Sequence, residues 1–168
     1  MVRSLTATAL RDRLGLEPHP EGGHYREVYR SAATVPHPVS GEPRAAISSI
    51  YFYLGTHDFS AWHSVRSDEI WVWLAGGPVE LHQIEPDGTY AFHRLGPAVE
   101  SYEQQATVPA DVWQAARPAP GTAWVLVTCL VAPGFDFADF VMPEAAELLA
   151  TFPQHADIIR ALSRSPKR

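Results

Sequence analysis

The chain has little of three things that usually betray a function. It has one cysteine, Cys129, so no disulfide framework can exist. A lone thiol suits a reducing cytoplasm, which is the expected location. Charged residues are only 19% of the chain, the net charge is −6, and no basic run precedes the short tail. Nucleic acid is therefore not an expected partner. No stretch is long and apolar enough to span a bilayer, so no membrane association is expected. Arg11, Asp12 and Arg13 break the apolar character of the N-terminal region, which does not read as a signal peptide. The phosphate-cradling glycine motifs of nucleotide-binding proteins are missing, and no serine sits in a Gly-x-Ser-x-Gly elbow.

What is present points to a small β protein. Hydrophobic residues reach 46%, enough for a core, while 15 prolines and 11 glycines demand many short elements and turns. A length of 168 residues fits one domain, taken as 1–168. Five Trp, six Tyr and eight His suit either an aromatic core with surface histidines or a pocket with flat walls and titratable groups.

Ala7, Leu10 and Leu14 recur at helical spacing before Gly15, which predicts a helix over 5–15. After Gly22-Gly23, the segment His24 to Arg30 reads as a strand with Tyr25, Glu27 and Tyr29 on one face. The glycines are read as turn formers. Further strands are predicted over 45–54, 59–65, 69–74, 79–84, 90–95, 106–109, 112–116 and 123–132, giving a barrel over about 22–141. The last of these, AWVLVTCLVA, is continuously apolar and reads as buried on both faces, with Cys129 inert inside it. Helices are expected over 143–163, opened by Pro143. So many short strands with close turns mean an all-β antiparallel sandwich or barrel.

The most informative segment is Trp62-His63-Ser64-Val65-Arg66-Ser67-Asp68-Glu69, followed by Ile70-Trp71-Val72-Trp73-Leu74-Ala75-Gly76. It reads as a hairpin that brings an imidazole and a carboxylate to one face. Trp71 and Trp73 share the parity of Glu69 and become candidate pocket walls. Trp113 has the opposite parity to Gln114 and is expected outside the barrel or at a subunit contact. Tyr51 and Tyr53 share a face, and Tyr53 is taken as a pocket hydroxyl. His19, His37, His57 and His155 fall in loops or the tail and read as solvated.

The hairpin resembles the first cupin motif, His-x-His-x3-Glu-x6-Gly, with His63, Glu69 and Gly76 matching and Val65 in place of the second histidine. Pro109 to Gln114 resembles the second motif, with Asp111 replacing its glycine and Gln114 its histidine. The phrases PHPEGGHYREVYRS, WHSVRSDEIW, VPADVWQAARP and VAPGFDFADF together resemble one family of small cupins, the cupin-5 type of unknown function, from about Leu16 to Phe140. The resemblance implies a jelly-roll barrel with short flanking helices at both termini, and a homodimer. In that family the stretch holding Tyr25 and Glu27 helps close the barrel mouth, so either could reach a ligand.

Of the four positions that hold the cupin metal, only His63 and Glu69 keep a good ligand. No resident cofactor is therefore expected. A weakly held divalent ion on His63, Glu69 and Gln114, with His82 filling the gap, is the alternative. The leading expectation is a metal-independent isomerase or epimerase acting on a sugar-like or hydroxy-carbonyl small molecule. His63 would be the base, Glu69 or Tyr53 the acid, and Gln114 the holder of the oxygen that gains charge. The rivals are a non-catalytic small-ligand-binding cupin and a metal-dependent lyase or dioxygenase.

Overall fold

Runs of β-branched and aromatic residues, cut by turns at glycine and proline, form two facing antiparallel sheets. A computed structural model describes residues 7–98 and 101–164. The chain opens with α1 (Ala7–Leu14), closed by Gly15 at φ 62°. Residues 5 and 6 of the expected helix lie outside the described residues. The strands that follow are β1 (Glu17–Pro18), β2 (His24–Arg30), β3 (Thr34–Pro36), β4 (Pro43–Ala45), β5 (Ser48–Gly55), β6 (Ser60–Val65) and β7 (Asp68–Gly76). Then come β8 (Val79–Ile84), β9 (Tyr90–Leu95), β10 (Gln105–Val108), β11 (Trp113–Pro118), β12 (Trp124–Ala132) and β13 (Phe140–Val141), with α2 (Ala145–Thr151) and α3 (Ala156–Ala161) at the end.

One sheet runs β1-β2-β5-β12-β7-β10 and the facing sheet β13-β6-β11-β8-β9, while β3 and β4 form a separate ribbon. Their ladders are antiparallel. The inner faces meet in a core that includes Phe52, Leu54, Trp71, Val79, Leu81 and Val127. A second cluster lies on the outside of the five-stranded sheet, where α2 and α3 lay Leu148, Phe152, Ile159 and Leu162 over Trp62, Ile84 and Ala115. Trp113 packs there too, outside the barrel. Truncating Phe152 to Ala would cost about 3–5 kcal/mol by opening this contact.

Strand β12 is central, as its sequence suggests. Its inward residues Val125, Val127, Cys129 and Val131 are buried, but on the outer face Thr128 and Leu130 are only half-buried. Burial of both faces is therefore incomplete.

Three register shifts set side chains where simple alternation would not. In β2 the shift falls between Glu27 and Tyr29, so Glu27 pairs with Ile50 and Arg30 with Ser48. Tyr25, Glu27 and Arg30 consequently face inward. Tyr29 turns out to solvent, 56% exposed, which corrects the expectation that it shares their face. In β6, Gln114 pairs with His63 and Ala116 with Ser60, leaving Ala61 and Trp62 bulged. The third shift, in β12 against β7, lies beyond Trp73 and leaves Glu69, Trp71 and Trp73 on one inner face.

Candidate active site

The β6 bulge creates the site. It removes the backbone groups of Ala61 from the ladder, and both are reused. The Ala61 N–H donates to the Glu21 carbonyl at 2.9 Å, and its carbonyl accepts from His63 Nδ1 at 2.8 Å. One displaced residue thus holds the loop bearing Glu21 and the ring of His63. The next N–H, on Trp62, is taken by the Leu162 carbonyl at the end of α3. The Gly22-Gly23 pair lets the loop lie this close. Both glycines have positive φ, and a Cβ would overlap the Phe59 carbonyl oxygen at Gly22 and the Tyr53 carbonyl oxygen at Gly23.

The result is a cavity of about 470 Å³ at the barrel mouth, lined by His19, Glu21, Tyr25, Phe52, His63 and Glu69 among others. Glu27, Arg30, Phe135, Asp136 and Phe137 complete its lining. His63 is 2% exposed, Glu69 7% and Glu21 6%.

The hydrogen bonds assign the protons. With Nδ1–H of His63 given to Ala61, the Nε2 lone pair faces Glu21 Oε2 at 3.2 Å. Glu21 Oε1 accepts the Ser60 hydroxyl at 2.8 Å. Burial pushes the Glu21 carboxyl up to about 8, against weaker downward pulls from Ser60 and Arg164. Burial also lowers His63, opposed by the charge of Glu69 and the bond to Ala61. A neutral imidazole therefore faces a protonated acid. His19 joins them. Its Nδ1 accepts the Glu21 N–H at 3.2 Å, which leaves the ring proton on Nε2. Burial, assisted by His63, depresses His19 to about 4.

Glu69 is held differently. Gln114 Nε2 donates to Glu69 Oε2 at 2.6 Å, and Gln114 Oε1 accepts from the Trp71 indole at 2.9 Å. Burial raises Glu69, opposed by His63. Cys129 also contacts it, and burial lifts the thiol well above its usual range. The thiol stays protonated, so no nucleophile is available there.

The structure brings together four of the residues singled out in the sequence, His63, Glu69, Tyr25 and Glu27, and moves five others away. Trp71 lies beneath the cavity floor, edge-on to Phe52 at 5.7 Å. Trp73, further along β7 and half-buried, donates to the Gly77 carbonyl. Neither lines the cavity, because strand parity gives the face of a residue and not its depth. Gln114 does not line the cavity either; its amide bridges Trp71 and Glu69. Tyr53 sits on the outer face of β5, stacked on Trp124 with Arg11 over its ring. Inward on that strand are Ser48, Ile50 and Phe52. His82 faces outward on β8 beside Tyr90, Phe92 and Glu80. Two histidines read as solvated are buried. The His19 side chain is 6% exposed, and His37 is locked by the Arg66 carbonyl and the Val39 and Ser40 N–H groups. His155 is half-buried against the Gly88 carbonyl, and His57 is exposed. Sequence reasoning missed Glu21 and His19. The signal was the phrase Pro18-His19-Pro20-Glu21-Gly22-Gly23, an acid and an imidazole beside a positive-φ pair.

A divalent metal does not fit this donor set. Of the four cupin metal positions, Val65 supplies hydrocarbon, and Gln114 turns its N–H toward Glu69 while its oxygen is occupied. Among the described residues, no three His, Cys, Asp or Glu side chains are grouped to hold a metal ion.

Comparison with known proteins agrees with this architecture. The profile of the family described as Cupin superfamily (DUF985) matches residues 8–143. A hypothetical protein from Leishmania major is similar at 35% identity and TM-score 0.89, covering 95% of this chain and 99% of that one. A protein from Shewanella oneidensis is similar at 34% identity and TM-score 0.87, with 96% and 99% covered. Oxalate decarboxylase from Bacillus subtilis shares the fold at 14% identity and TM-score 0.56, over 89% of this chain and 38% of that one. No curated protein matches.

Proposed function

The chain belongs to the Cupin superfamily (DUF985) family, and from that premise we propose that it is an isomerase or epimerase that needs no metal and moves a proton beside a carbonyl group of a sugar-like or hydroxy-carbonyl molecule. The observation that carries this reading is the His63 Nε2 lone pair set 3.2 Å from the Glu21 carboxyl, both side chains buried in the wall of one cavity. The pair offers a base and an acid that are both neutral near pH 7.

In this reading His63 Nε2 takes the proton from the carbon next to the carbonyl. The C–H electrons form the C=C bond, and the carbonyl electron pair moves to oxygen, which takes the proton of Glu21. The enol then collapses the other way: the hydroxyl on the carbon that lost its proton gives its hydrogen to Glu21 and becomes the new carbonyl, while His63 returns its proton to the former carbonyl carbon, so both side chains end as they began. Glu69, fixed by Gln114, stabilises the imidazolium formed on the way, since its charge favours protonated His63. The acid role expected for Glu69 or Tyr53 passes to Glu21.

The same proposal includes a homodimer joined through a strand edge and a cytoplasmic location. Edge strand β9 presents Tyr90 and Phe92, 39% and 43% exposed, which supports pairing there. No helix among the described residues is long and apolar enough to cross a membrane.

The test is deuterium incorporation from D2O into a panel of aldoses, ketoses and hydroxy-carbonyl compounds. The chain is expected to label at least one. His63→Ala should lower the rate at least ~100-fold while the circular dichroism spectrum stays unchanged. Labelling that survives the substitution removes His63 as base. A small molecule that copurifies and leaves unaltered, with no labelling of any compound, favours a binding module instead.

A further inference from the structure

The proposed reaction leaves the charge of the substrate open, and the cavity lining bears on it. Four carboxyl groups face the space: Glu21, Glu27, Glu69 and Asp136. One guanidinium faces it, Arg30, and that group is already bound to Glu27 at 2.6 Å and to the Phe135 carbonyl at 3.0 Å. Among the described residues, no Lys or Arg side chain is hydrogen-bonded to the carboxyl of Glu21 or of Glu69; Arg164 bonds the Glu21 carbonyl and only its charge reaches that carboxyl. Buried carboxyls are normally compensated by a positive partner, and Glu69 has no such bonded partner among the described residues.

Aromatic rings surround the same space. Tyr25 stands edge-on to His19 at 4.5 Å, Phe137 stacks on His19 at 6.2 Å, and Phe135 meets Phe137 at 5.0 Å. Phe137 is 53% exposed, so its ring is free to settle on whatever fills the mouth. Aromatic faces attract cations and do nothing comparable for anions. A third observation points to oxygen. The His19 side chain is only 6% exposed, its Nδ1 is occupied, and its Nε2–H has no hydrogen-bond partner among the described residues although the ring lines the cavity.

We propose that the ligand carries a protonated amine beside a carbonyl or hydroxyl oxygen, the amine held by Glu69 and the aromatic rim and the oxygen by His19 Nε2–H. Amino sugars are the fitting class. The proposal rests on the same cavity as the isomerase reading and names its substrate. It sets this chain apart from a fold relative such as oxalate decarboxylase, whose name specifies a dianion.

Isothermal titration of the full chain at pH 6.5, where the free amine is already protonated, tests it, with D-glucosamine, D-glucose, N-acetyl-D-glucosamine and D-glucuronate as probes. Glucosamine should bind at least ~10-fold tighter than each of the others. Its binding should release protons, measured in two buffers of different ionisation enthalpy, because an incoming cation favours ionised Glu21. Glu69→Gln should erase the preference for the amine. Phe137→Ala, at a half-exposed position, should weaken glucosamine several-fold and by more than it weakens glucose. Equal or tighter binding of glucose or glucuronate, or no glucosamine binding at tens of millimolar, overturns the proposal. The two readings fail separately. Glucosamine binding without deuterium exchange removes the isomerase and leaves the amine site. Exchange on neutral sugars with no amine preference does the reverse.

Discussion

Replacing the acid at position 21 by its amide should make the protein more stable and inactive. In the folded state Glu21 accepts from Ser60 through one oxygen and sets the other 3.2 Å from His63 Nε2. A glutamine amide can keep both contacts, oxygen toward Ser60 and N–H toward His63, without an ionisable proton. The linkage sign follows from the raised pKa. The unfolded carboxyl ionises near 4.5 and the folded one near 8. Between these values the folded state holds the extra proton, so rising pH destabilises it by about 1.4 kcal/mol per unit. From pH 4.5 to 7.5 the loss is on the order of 4 kcal/mol, and Glu21→Gln escapes it. Lowered His19 and His63 act in the opposite direction as pH falls, but they are common to both proteins and cancel in the comparison. Urea unfolding of the two proteins from pH 4 to 8 reads the difference. The curves should meet near pH 4 and diverge as pH rises, with the variant above and deuterium exchange abolished. Parallel curves, or a variant less stable at every pH, would refute a protonated Glu21.

Other consequences are as direct. Gln114→Leu strands the Trp71 N–H and removes a donor that lowers Glu69, so it should cost about 2–4 kcal/mol in urea unfolding. In any surviving activity it should move the pH profile of exchange upward. Gly23→Ala forces a Cβ onto the Tyr53 carbonyl oxygen at φ 68° and should lose about 1–3 kcal/mol, with exchange lost faster than stability as the Glu21 loop shifts. Chain purified without added metal should carry far less than one equivalent of Mn, Fe, Ni, Cu or Zn by elemental analysis, and a tightly held full equivalent would contradict the donor set. Light scattering after gel filtration should give twice the 18.5 kDa chain mass.

How far the site was legible depended on what governs each residue. Glu69, Trp71 and Trp73 share an inner face as their spacing says, because β7 has no bulge among them. Their depth was not legible, since it depends on where the mouth lies, and that is decided by the facing sheet. Arg30 escaped because a single shifted residue in β2 reverses parity after Glu27. Tyr53 was assigned to the wrong side because β5 carries aromatics on both faces, and period two cannot say which face meets the core. Glu21 and His19 stand in a Pro- and Gly-rich loop that reads as solvated. Their burial comes from the Ala61 bulge and the Arg164 side chain, 40 and 143 residues away along the chain. The barrel itself was plain in the sequence, because turns and β-rich runs are local signals.

Nitrogen-15 NMR of the imidazoles at pH 7 reaches the heart of the account. His63 should be a neutral Nδ1–H tautomer whose Nε2 accepts the Glu21 proton, with that nitrogen alone shifting when Glu21→Gln is introduced. A His63 protonated on both nitrogens opposite an ionised Glu21 would contradict it.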